Sequence, residues 1–296
     1  MTVSSLSMFA SRGICRCIGN KRWWRSLAAN STLAFGVGSG IIQLLFALWP
    51  NIETSRIAIL LALMVSSLAC GVLRAVPRTK VSRSFGRPDI TVVVKVGDLF
   101  DEQSHLVIGF NDVFDTDWTG DVVISRGSVQ GQFLDRVYAG DIDQLDSDLS
   151  VSLAGFPVQS RETRSSKRAG KLIRYPVGSV AVLSSGEKSY FCSAYGKMEN
   201  DLTVSSNMDD LWLSLGGLWR AVGRHGRREA IAMPIIGSEM ARIDHADREM
   251  LVRMILLSFV VNSRERLISK KLTIVIHPDD AHRVDMLEMG AFLRVL

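Results

Sequence analysis

Two uncharged apolar segments near the N-terminus constrain the fold of this chain more than any other feature. They are Leu33–Trp49 and Ile57–Leu73, each of 17 residues, which is near the lower end of the roughly 17–25 residues of a membrane-spanning helix. Basic residues flank the pair on both outer sides, whereas the turn between them is neutral because Glu53 offsets Arg56. Since the cytoplasmic flanks of spanning helices are enriched in Lys and Arg, the pattern predicts a transmembrane hairpin with both ends in the cytosol.

Other interpretations of the two segments explain less of this pattern. A buried helical hairpin in a large core does not account for the basic flanks, and a cleaved signal peptide does not account for the second segment. Small residues recur at every fourth position of both segments, an arrangement that lets helices approach closely in lipid. These stripes either close the hairpin, join subunits or reflect chance; they are Thr32, Gly36 and Gly40, and Ala58, Ala62, Ser66 and Cys70.

Basic charge is concentrated in the N-terminal third of the chain. Residues 1–87 carry a net charge of +10 and the whole chain carries +5, so residues 88–296 carry −5. Because a nucleic-acid-binding domain needs a basic face, we exclude nucleic acid as a partner. The sequence divides into a basic cytosolic N-terminus (1–30), the transmembrane hairpin (31–73), a basic linker (74–89) and a folded domain (90–296).

The four cysteines indicate neither a metal site nor a disulfide framework. No two of them form a CxxC pair, and none has a histidine at zinc-binding spacing. The motifs GxSxG and HExxH are absent, and the five histidines are scattered along the chain. We therefore expect no metal, no cofactor and no catalytic residue.

Two short Val- and Leu-rich runs indicate strands that are buried on both faces of a sheet. They are Thr91–Val96 and Leu106–Phe110, and they are followed by Gly97–Asp98 and Asn111–Asp112. In open α/β sheets, ligands bind outside the carboxyl ends of the strands. A short acid there can accept a hydrogen bond from an exocyclic amine, and an Asn can hold a ribose or a carbonyl. The pattern predicts one wall of a nucleotide pocket.

Strands and helices alternate along the rest of the domain and predict a three-layer α/β/α fold. Two turns that precede helices are candidate phosphate cradles, because amides at a helix N-terminus attract anions. They are Gly127–Gly131, which a generic turn would also explain, and the loop Pro234–Ile243. We also expect a short extended piece at Asp121–Ser125 and a solvated helix and loop over residues 141–171.

The order of these pieces resembles the macro domain, a module that binds ADP-ribose and related NAD derivatives. Gly97–Asp98 resembles the acid with which the family holds the adenine amine, and Asn111 resembles its contact to the distal ribose. Ser125–Phe133 and Pro234–Arg242 lie in the places of the two phosphate loops. The resemblance implies an α/β/α macro domain with a mixed sheet, preceded by the membrane hairpin.

Over its whole length, the chain is similar to the membrane-anchored type of Thoeris antiviral effector. The similarity lies in the segments GFNDVFDT, SVQGQFL and MPIIGSEMAR behind two membrane helices. It implies a multi-pass protein of the bacterial inner membrane whose cytoplasmic macro domain binds an ADP-ribose-type signal, such as histidine-ADP-ribose. The resemblance also implies a partner TIR-domain enzyme that makes this signal from NAD. It further implies that binding drives assembly of a homo-oligomer, damage to membrane lipid and abortive infection.

The resemblance favours a binding protein over an enzyme. Hydrolytic macro domains have a glycine-rich first loop followed by a catalytic acid, and here the loop is SVQGQFL; they usually carry NAAN, and here the sequence is GFND. The alternatives are a membrane-bound ADP-ribosyl hydrolase, in which Asn111 or Asp112 assists a water, and a scaffold that has lost its ligand. The expected ligand-binding residues are Asp98, Leu99, Asn111, Asp112, Phe114, Asp115, Thr116, Ser128, Val129, Gln130, Gly131, Ile236, Gly237, Ser238, Glu239, Met240 and Arg242.

Overall fold

The computed structural model describes residues 21–48, 55–75, 79–237 and 247–296. By its internal contacts the chain divides into two compact units, Met1–Arg78 and Thr79–Leu296. The first contains two helices, and the second contains all ten strands and the remaining helices of the described residues.

The first unit is a helical hairpin formed by α1 (Lys21–Leu48) and α2 (Arg56–Ala75). Both helices are long and apolar enough to cross a membrane, over Leu27–Leu48 and Ile57–Arg74. Protein buries 0% of the first of these windows and 11% of the second, whereas a core helix of a soluble protein is mostly buried. The two apolar segments predicted from the sequence therefore form helices whose hydrophobic side chains face outward.

The seam between α1 and α2 uses glycines that lie outside the predicted stripes. A Cβ on Gly38 would lie 2.5 Å from Leu63 Cδ1, and a Cβ on Gly71 would lie 1.9 Å from Ser31 Oγ. By contrast, a Cβ on Gly36 or Gly40 would meet nothing within 4 Å. The stripe containing Gly36 and Gly40 therefore does not close the hairpin.

The second unit is built on a mixed sheet in which most neighbouring strands run parallel. The strands are β1 Lys80–Gly86, β2 Asp89–Val96, β3 His105–Asn111, β4 Ser160–Arg161, β5 Ile173–Arg174, β6 Val180–Ser185, β7 Lys188–Met198, β8 Val204–Ser205, β9 Ile231–Pro234 and β10 Lys271–Ile276; β4 and β5 form a separate ribbon. The strand order in the main sheet is β1-β2-β10-β9-β3-β7-β6, with β8 paired to β7. The pairs β1–β2, β7–β6 and β7–β8 are antiparallel, whereas the pairs from β2 through to β7 are parallel.

Helices cover both faces of this sheet. The helices are α3 Val129–Tyr138, α4 Ile142–Leu153, α5 Met208–His225, α6 Arg248–Glu265 and α7 Met286–Val295, with 3-10 turns at Leu99–Asp101, Thr119–Asp121 and Pro278–Arg283. Along β3, Leu106 and Ile108 pack against the helices α3 and α4, whereas Val107, on the opposite face, packs against α5 and α6. This alternation is the side-chain period of a strand buried on both faces, and it confirms the predicted three-layer α/β/α architecture.

The expected basic linker is partly a strand. Residues 80–86 form β1, which pairs antiparallel with β2 so that Lys80 lies opposite Lys95. Val81 is buried, and Arg83 and Phe85 share its face of the strand, while Lys80, Ser82 and Ser84 lie on the exposed face. The Val96 amide also donates to the Thr79 carbonyl at 2.8 Å. The folded unit therefore begins near Thr79, and the basic residues of an edge strand resembled a linker in the sequence.

One further expectation about the second unit is wrong, and another is only partly confirmed. The piece Asp121–Ser125 is not extended; it consists of the end of a 3-10 turn followed by bends. The segment 141–171 is not simply solvated, since α4 buries Leu145 and Leu149 against the sheet and Lys167 has no exposed surface. Val123 and Ile124 are buried in a small cluster without forming a strand, and in residues 141–171 tertiary contacts bury side chains that the local polarity had placed in solvent.

A buried ion pair fixes this segment to the turn after β3. Lys167 Nζ lies 3.1 Å from Asp115 Oδ2, and the side chains of both residues are 0% exposed. Lys167 Nζ also donates to the Lys171 carbonyl at 2.7 Å. Burial raises the pKa of the Asp115 carboxyl and lowers that of the Lys167 ammonium, and the attraction between the two groups opposes both effects.

We predict that Lys167→Met destabilises the second unit by about 3–5 kcal/mol, because it leaves the Asp115 carboxylate buried without its counter-charge. Lys171→Met is the matched control. It removes a half-exposed partner of Asp146, a pair of the kind that contributes about 0–1 kcal/mol. Urea unfolding followed by tryptophan fluorescence measures both changes, and equal losses for the two variants would contradict the prediction.

Candidate functional site

A cleft opens at the carboxyl edge of the parallel strands. Asn111 lies at the end of β3, the segment Pro234–Gly237 follows β9, and His277 follows β10. The first turn of α3 closes the cleft from one side. The lining residues are Gly109, Phe110, Asn111, Val123, Ile124, Ser128, Val129, Gln130, Tyr195, Val204, Pro234, Ile235, Ile236, Gly237, Val275, His277 and Asp280. This is the edge at which open α/β sheets bind ligands.

The N-terminus of α3 presents backbone amides to the cleft. Ser128 caps the helix: its Oγ accepts from the Gly131 amide at 3.0 Å and donates to the Ser125 carbonyl at 2.6 Å. The hydrogen bonds among the described residues leave the amides of Val129 and Gln130 unpaired. Free amides and the positive end of the helix dipole suit an anion.

Gly131 allows the two arms of this loop to come together. A Cβ at Gly131 would lie 2.4 Å from the Ser125 carbonyl oxygen and 2.7 Å from Arg126 Cα. No side chain fits at that distance from backbone atoms, and the Gly131 amide is already bonded to Ser128. The single glycine of SVQGQFL therefore shapes the loop, while its neighbours carry the free amides.

The loop after β9 also lines the cleft. Gly237 has φ +84, a conformation that glycine adopts at little cost and other residues adopt rarely. Ile236 and Gly237 are both lining residues. The other residues expected in this loop, Ser238, Glu239, Met240 and Arg242, lie outside the described residues.

Asp98 lies beside the cleft, after β2, and its carboxylate is already engaged. Oδ1 accepts from the Phe100 amide at 2.9 Å, and Oδ2 lies 2.7 Å from Arg136 Nη1. The Arg136 guanidinium also stacks over the Phe100 ring, 5.1 Å from its centroid. Burial by itself raises the pKa of the Asp98 carboxyl, but the Phe100 amide, Arg136 and nearby His277 outweigh it and hold that pKa below its usual value.

Asn111 both lines the cleft and folds the turn after β3. Its Oδ1 accepts from the amides of Val113 and Asp115, each at 3.2 Å, and its Nδ2 donates to Asp115 Oδ2 at 3.3 Å. An Asn side chain has two amide hydrogens, and the hydrogen bonds among the described residues use one of them. The second is available for a hydroxyl or carbonyl in the cleft.

Five expected site residues support the wall of the cleft without lining it. Asp112 Oδ2 lies 2.7 Å from Arg174 Nη1, and its Oδ1 accepts from the Met198 amide at 2.8 Å. Buried carboxylates need such partners. The other four residues also point into the protein rather than into the cleft. Leu99 lies in the core, Phe114 stacks on Phe110, Asp115 pairs with Lys167, and Thr116 bonds to Asp146.

Several lining residues were absent from the expected set. His277 and Asp280 follow the last strand, and the position of that strand at the same edge could have indicated them. Asp280 also pairs with Arg248 at 3.0 Å, at the start of α6. No sequence pattern indicated Gly109 and Tyr195 as lining residues, because their positions in the cleft depend on how β3 pairs with β7. Among the residues described, no three His, Cys, Asp or Glu side chains come together as a metal site.

Comparisons with known proteins agree with the domain resemblance. The family model described as "Thoeris protein ThsA, Macro domain" matches residues 92–277. Two similar solved structures are forms of the Oceanobacillus iheyensis macrodomain. One has ADP, with 14% identity, a TM-score of 0.49 and coverage of 74% of this chain and 100% of that chain. The other is a mutant with ADPR, with 13% identity, a TM-score of 0.47 and coverage of 72% and 100%. No curated protein matches the chain.

We predict that Arg136→Met raises the pKa of Asp98 towards the ordinary value near 3.9, because the variant removes the guanidinium that favours the carboxylate. A lowered pKa stabilises the fold above the unfolded-state pKa, and this contribution is lost as pH falls through the folded-state pKa. In Arg136→Met this contribution should be smaller, and its loss should be complete at a higher pH. Carbon-detected NMR titration of the Asp98 carboxyl measures the shift, and an unchanged pKa would refute the assigned role of Arg136.

Proposed function

This chain belongs to the family of Thoeris ThsA macro domains, and from this membership we propose that its cleft is a receptor site for a nucleotide of the ADP-ribose type. The supporting observation is the pair of loops that line the cleft. One loop offers the amides of Val129 and Gln130, and the other turns at Gly237 with positive φ. Backbone amides at a helix N-terminus suit a phosphate without a metal or a lysine, and a glycine turn lets backbone approach a diphosphate closely.

In this proposal, groups around the cleft hold the rest of the ligand. Asp98 lies at the β2 side, where it would accept a hydrogen bond from the adenine amine. The Asp98 and Arg136 side chains are 34% and 43% exposed, and exposed ion pairs contribute little, so a base can displace or share this contact cheaply. Asn111 lies on the β3 side and has a free amide hydrogen for the distal ribose.

Binding is better supported than hydrolysis. The rival mechanism needs Asn111 or Asp112 to help a water, but the Asp112 carboxylate is 5% exposed and bonded to Arg174 and to the Met198 amide. A general base must reach the water that it activates. Incubating the protein with ADP-ribose or its histidine conjugate and recovering the ligand by chromatography tests this point. Intact ligand supports a receptor, and free ADP-ribose released from the conjugate supports a hydrolase.

In this proposal, the chain is a membrane-anchored sensor of a signal that a TIR-domain enzyme makes from NAD. The hairpin α1–α2 crosses the bacterial inner membrane, and the cleft faces the cytoplasm where such a signal accumulates. Ligand can drive assembly only if it binds the assembled form more tightly than the free form. Assembly then brings hairpins together and damages the membrane, which ends in abortive infection.

We predict that Asp98→Asn lowers the affinity for ADP-ribose about tenfold to a hundredfold, since a charge-assisted hydrogen bond contributes roughly 1.5–3 kcal/mol. Asn keeps an oxygen for the Phe100 amide, so the 3-10 turn remains capped. Asp101→Asn, an exposed acid in the same turn, is the control and should bind normally. Calorimetry on the full-length protein in detergent measures both, and an equal affinity for Asp98→Asn would remove Asp98 from the site.

We predict that Gly36→Leu combined with Gly40→Leu abolishes toxicity in cells that make the signal but leaves ligand binding intact. A side chain at either position meets nothing within 4 Å in the hairpin, so the change should act on packing between hairpins. Val37→Leu, an exposed position on the same helix, is the control and should stay toxic. Full toxicity of the double variant would show that the helices are a passive tether.

A further inference from the structure

Charge is unevenly distributed over the second unit, and a basic surface lies at the amino edge of its parallel strands. The segments 224–230 and 264–271 precede β9 and β10, and together they contain seven Lys or Arg and two acids. Since residues 88–296 carry −5 in all, the other residues of that range carry −10. We name the two segments the basic edge, which is a positive surface on an otherwise acidic unit.

The two segments form one surface because the strands that follow them are neighbours. β9 and β10 run parallel, and Arg228 pairs with Ser269 in an isolated bridge. The Lys270 amide also donates to the Arg228 carbonyl at 3.1 Å. All seven basic residues are exposed, so their charges lie together along one stretch of the sheet's edge.

Helix ends do not account for this concentration of charge. Arg224 and Arg264 lie in the last turns of α5 and α6, where a basic residue interacts favourably with the helix dipole. The other five lie beyond those turns. Two of them, Arg227 and Arg228, have positive φ values of 50 and 61, a conformation that glycine and asparagine adopt more readily. The turn itself therefore gives no reason for arginine.

The basic side chains are not neutralised within the described part of the unit. The ion pairs among the described residues involve none of the seven, although Arg264 Nη2 donates to the Leu296 carbonyl at 3.2 Å. Like charges that are close together on a surface repel one another. An acidic partner would relieve this repulsion, so the basic edge has the charge of a docking surface.

The opposite edge of the same sheet is acidic. The segments 199–210 and 277–288 follow β7 and β10, and they contain eight Asp or Glu and one Arg. Bases outside these segments pair with three of the acids. Glu199, Asp201 and Asp209 are exposed and lie outside those pairs. We name these two segments the acidic edge, and each copy of the chain therefore carries opposite charges at the two ends of its strands.

The position of Thr79 favours a second copy over a lipid surface as the partner of the basic edge. Thr79, through which the chain continues towards the hairpin, lies at the carboxyl end of β2, since its carbonyl accepts from the Val96 amide. β1 then runs for seven residues to Gly86, so the basic edge lies roughly 23 Å further along the sheet. A second copy supplies an acidic edge of matching charge. Such a contact joins two different surfaces and can repeat along a row of copies.

Resting on the proposed function, we infer that the basic edge of one copy docks on the acidic edge of the next copy, and that ligand strengthens this contact. The cleft opens at the same carboxyl edge as the acidic segments. A bound diphosphate would add negative charge there, and the basic edge of the next copy would attract it. Ligand would then bind the assembled form more tightly than the free form, and by linkage assembly would raise the affinity for ligand.

Sedimentation velocity on the full-length protein in detergent, without added lipid, tests this contact with ADP-ribose as the probe. We expect the wild type to assemble at about tenfold lower protein concentration with the probe, and to dissociate as salt rises from about 0.05 M to about 0.5 M. Arg266→Glu combined with Lys270→Glu reverses two exposed charges of the basic edge and should prevent assembly. Arg220→Glu combined with Arg294→Glu, at exposed positions of α5 and α7, is the matched control and should assemble like the wild type.

Mixing the basic-edge variant with the wild type distinguishes a head-to-tail row from a symmetric dimer. The variant keeps its acidic edge, so it should still accept one wild-type copy and end the row. A minor share of variant should therefore shorten the wild-type assemblies, whereas a symmetric contact would exclude the variant. Arg266→Gln combined with Lys270→Gln removes the same charges without reversing them and should weaken assembly to an intermediate degree.

Calorimetry with ADP-ribose separates this contact from the receptor function. The basic-edge variant should bind the probe within about twofold of the unassembled wild type, which also shows that it is folded. A wild type that binds the probe but stays a single species, a variant that assembles normally, or assembly that requires added anionic lipid would overturn the contact and leave the receptor function standing. A wild type that does not bind the probe would overturn the receptor function itself.

Discussion

The turn after β3 buries two carboxylates within four residues, and the arrangement of the cleft depends on how each is paired. Asp112 bonds to Arg174 on β5 and to the Met198 amide at the end of β7. Asp115 bonds to Lys167 and to Asn111. A buried carboxylate without such partners would cost several kcal/mol. The chain therefore has to bring residues 167–174 back over this turn, and in doing so it fixes both Asn111 and the end of β7.

The parts of the fold that follow from local periodicity could be predicted from the sequence. The strands β2 and β3 end one residue or less from their expected positions, and α5 buries Leu211, Leu215 and Leu218 at helical spacing. The edge strand β1 was missed because Lys80 and Arg83 make its short sequence basic, which also suits a linker. Charged residues on edge strands hinder pairing with other chains. Val81, Arg83 and Phe85 share one face of the strand, so the arginine interrupts the apolar alternation that would have indicated a strand.

The site was harder to predict because sequence order does not show which polar groups are already used. Asp112 and Asn111 are adjacent and equally polar, yet one is bonded to Arg174, 62 residues away, and the other faces the cleft. Gly109 and Tyr195 face each other only because a bulge shifts the register of β7. Lys167 lies in a stretch of charged residues, and nothing local distinguishes it from its solvated neighbours. Long-range partners decide each of these cases.

The position of Thr79, at the start of the second unit, determines where a force on the chain would act. The Thr79 carbonyl accepts from the Val96 amide, and Asp98 follows two residues later. Tension transmitted through the chain at Thr79 would act first on the end of β2, the strand that carries this acid. In the proposed receptor, a pull at Thr79 and a ligand at Asp98 would act on the same short piece of backbone. A ligand that stiffens this end of β2 would then change the force at which β1 separates from the sheet, so that binding would depend on strain as well as on concentration.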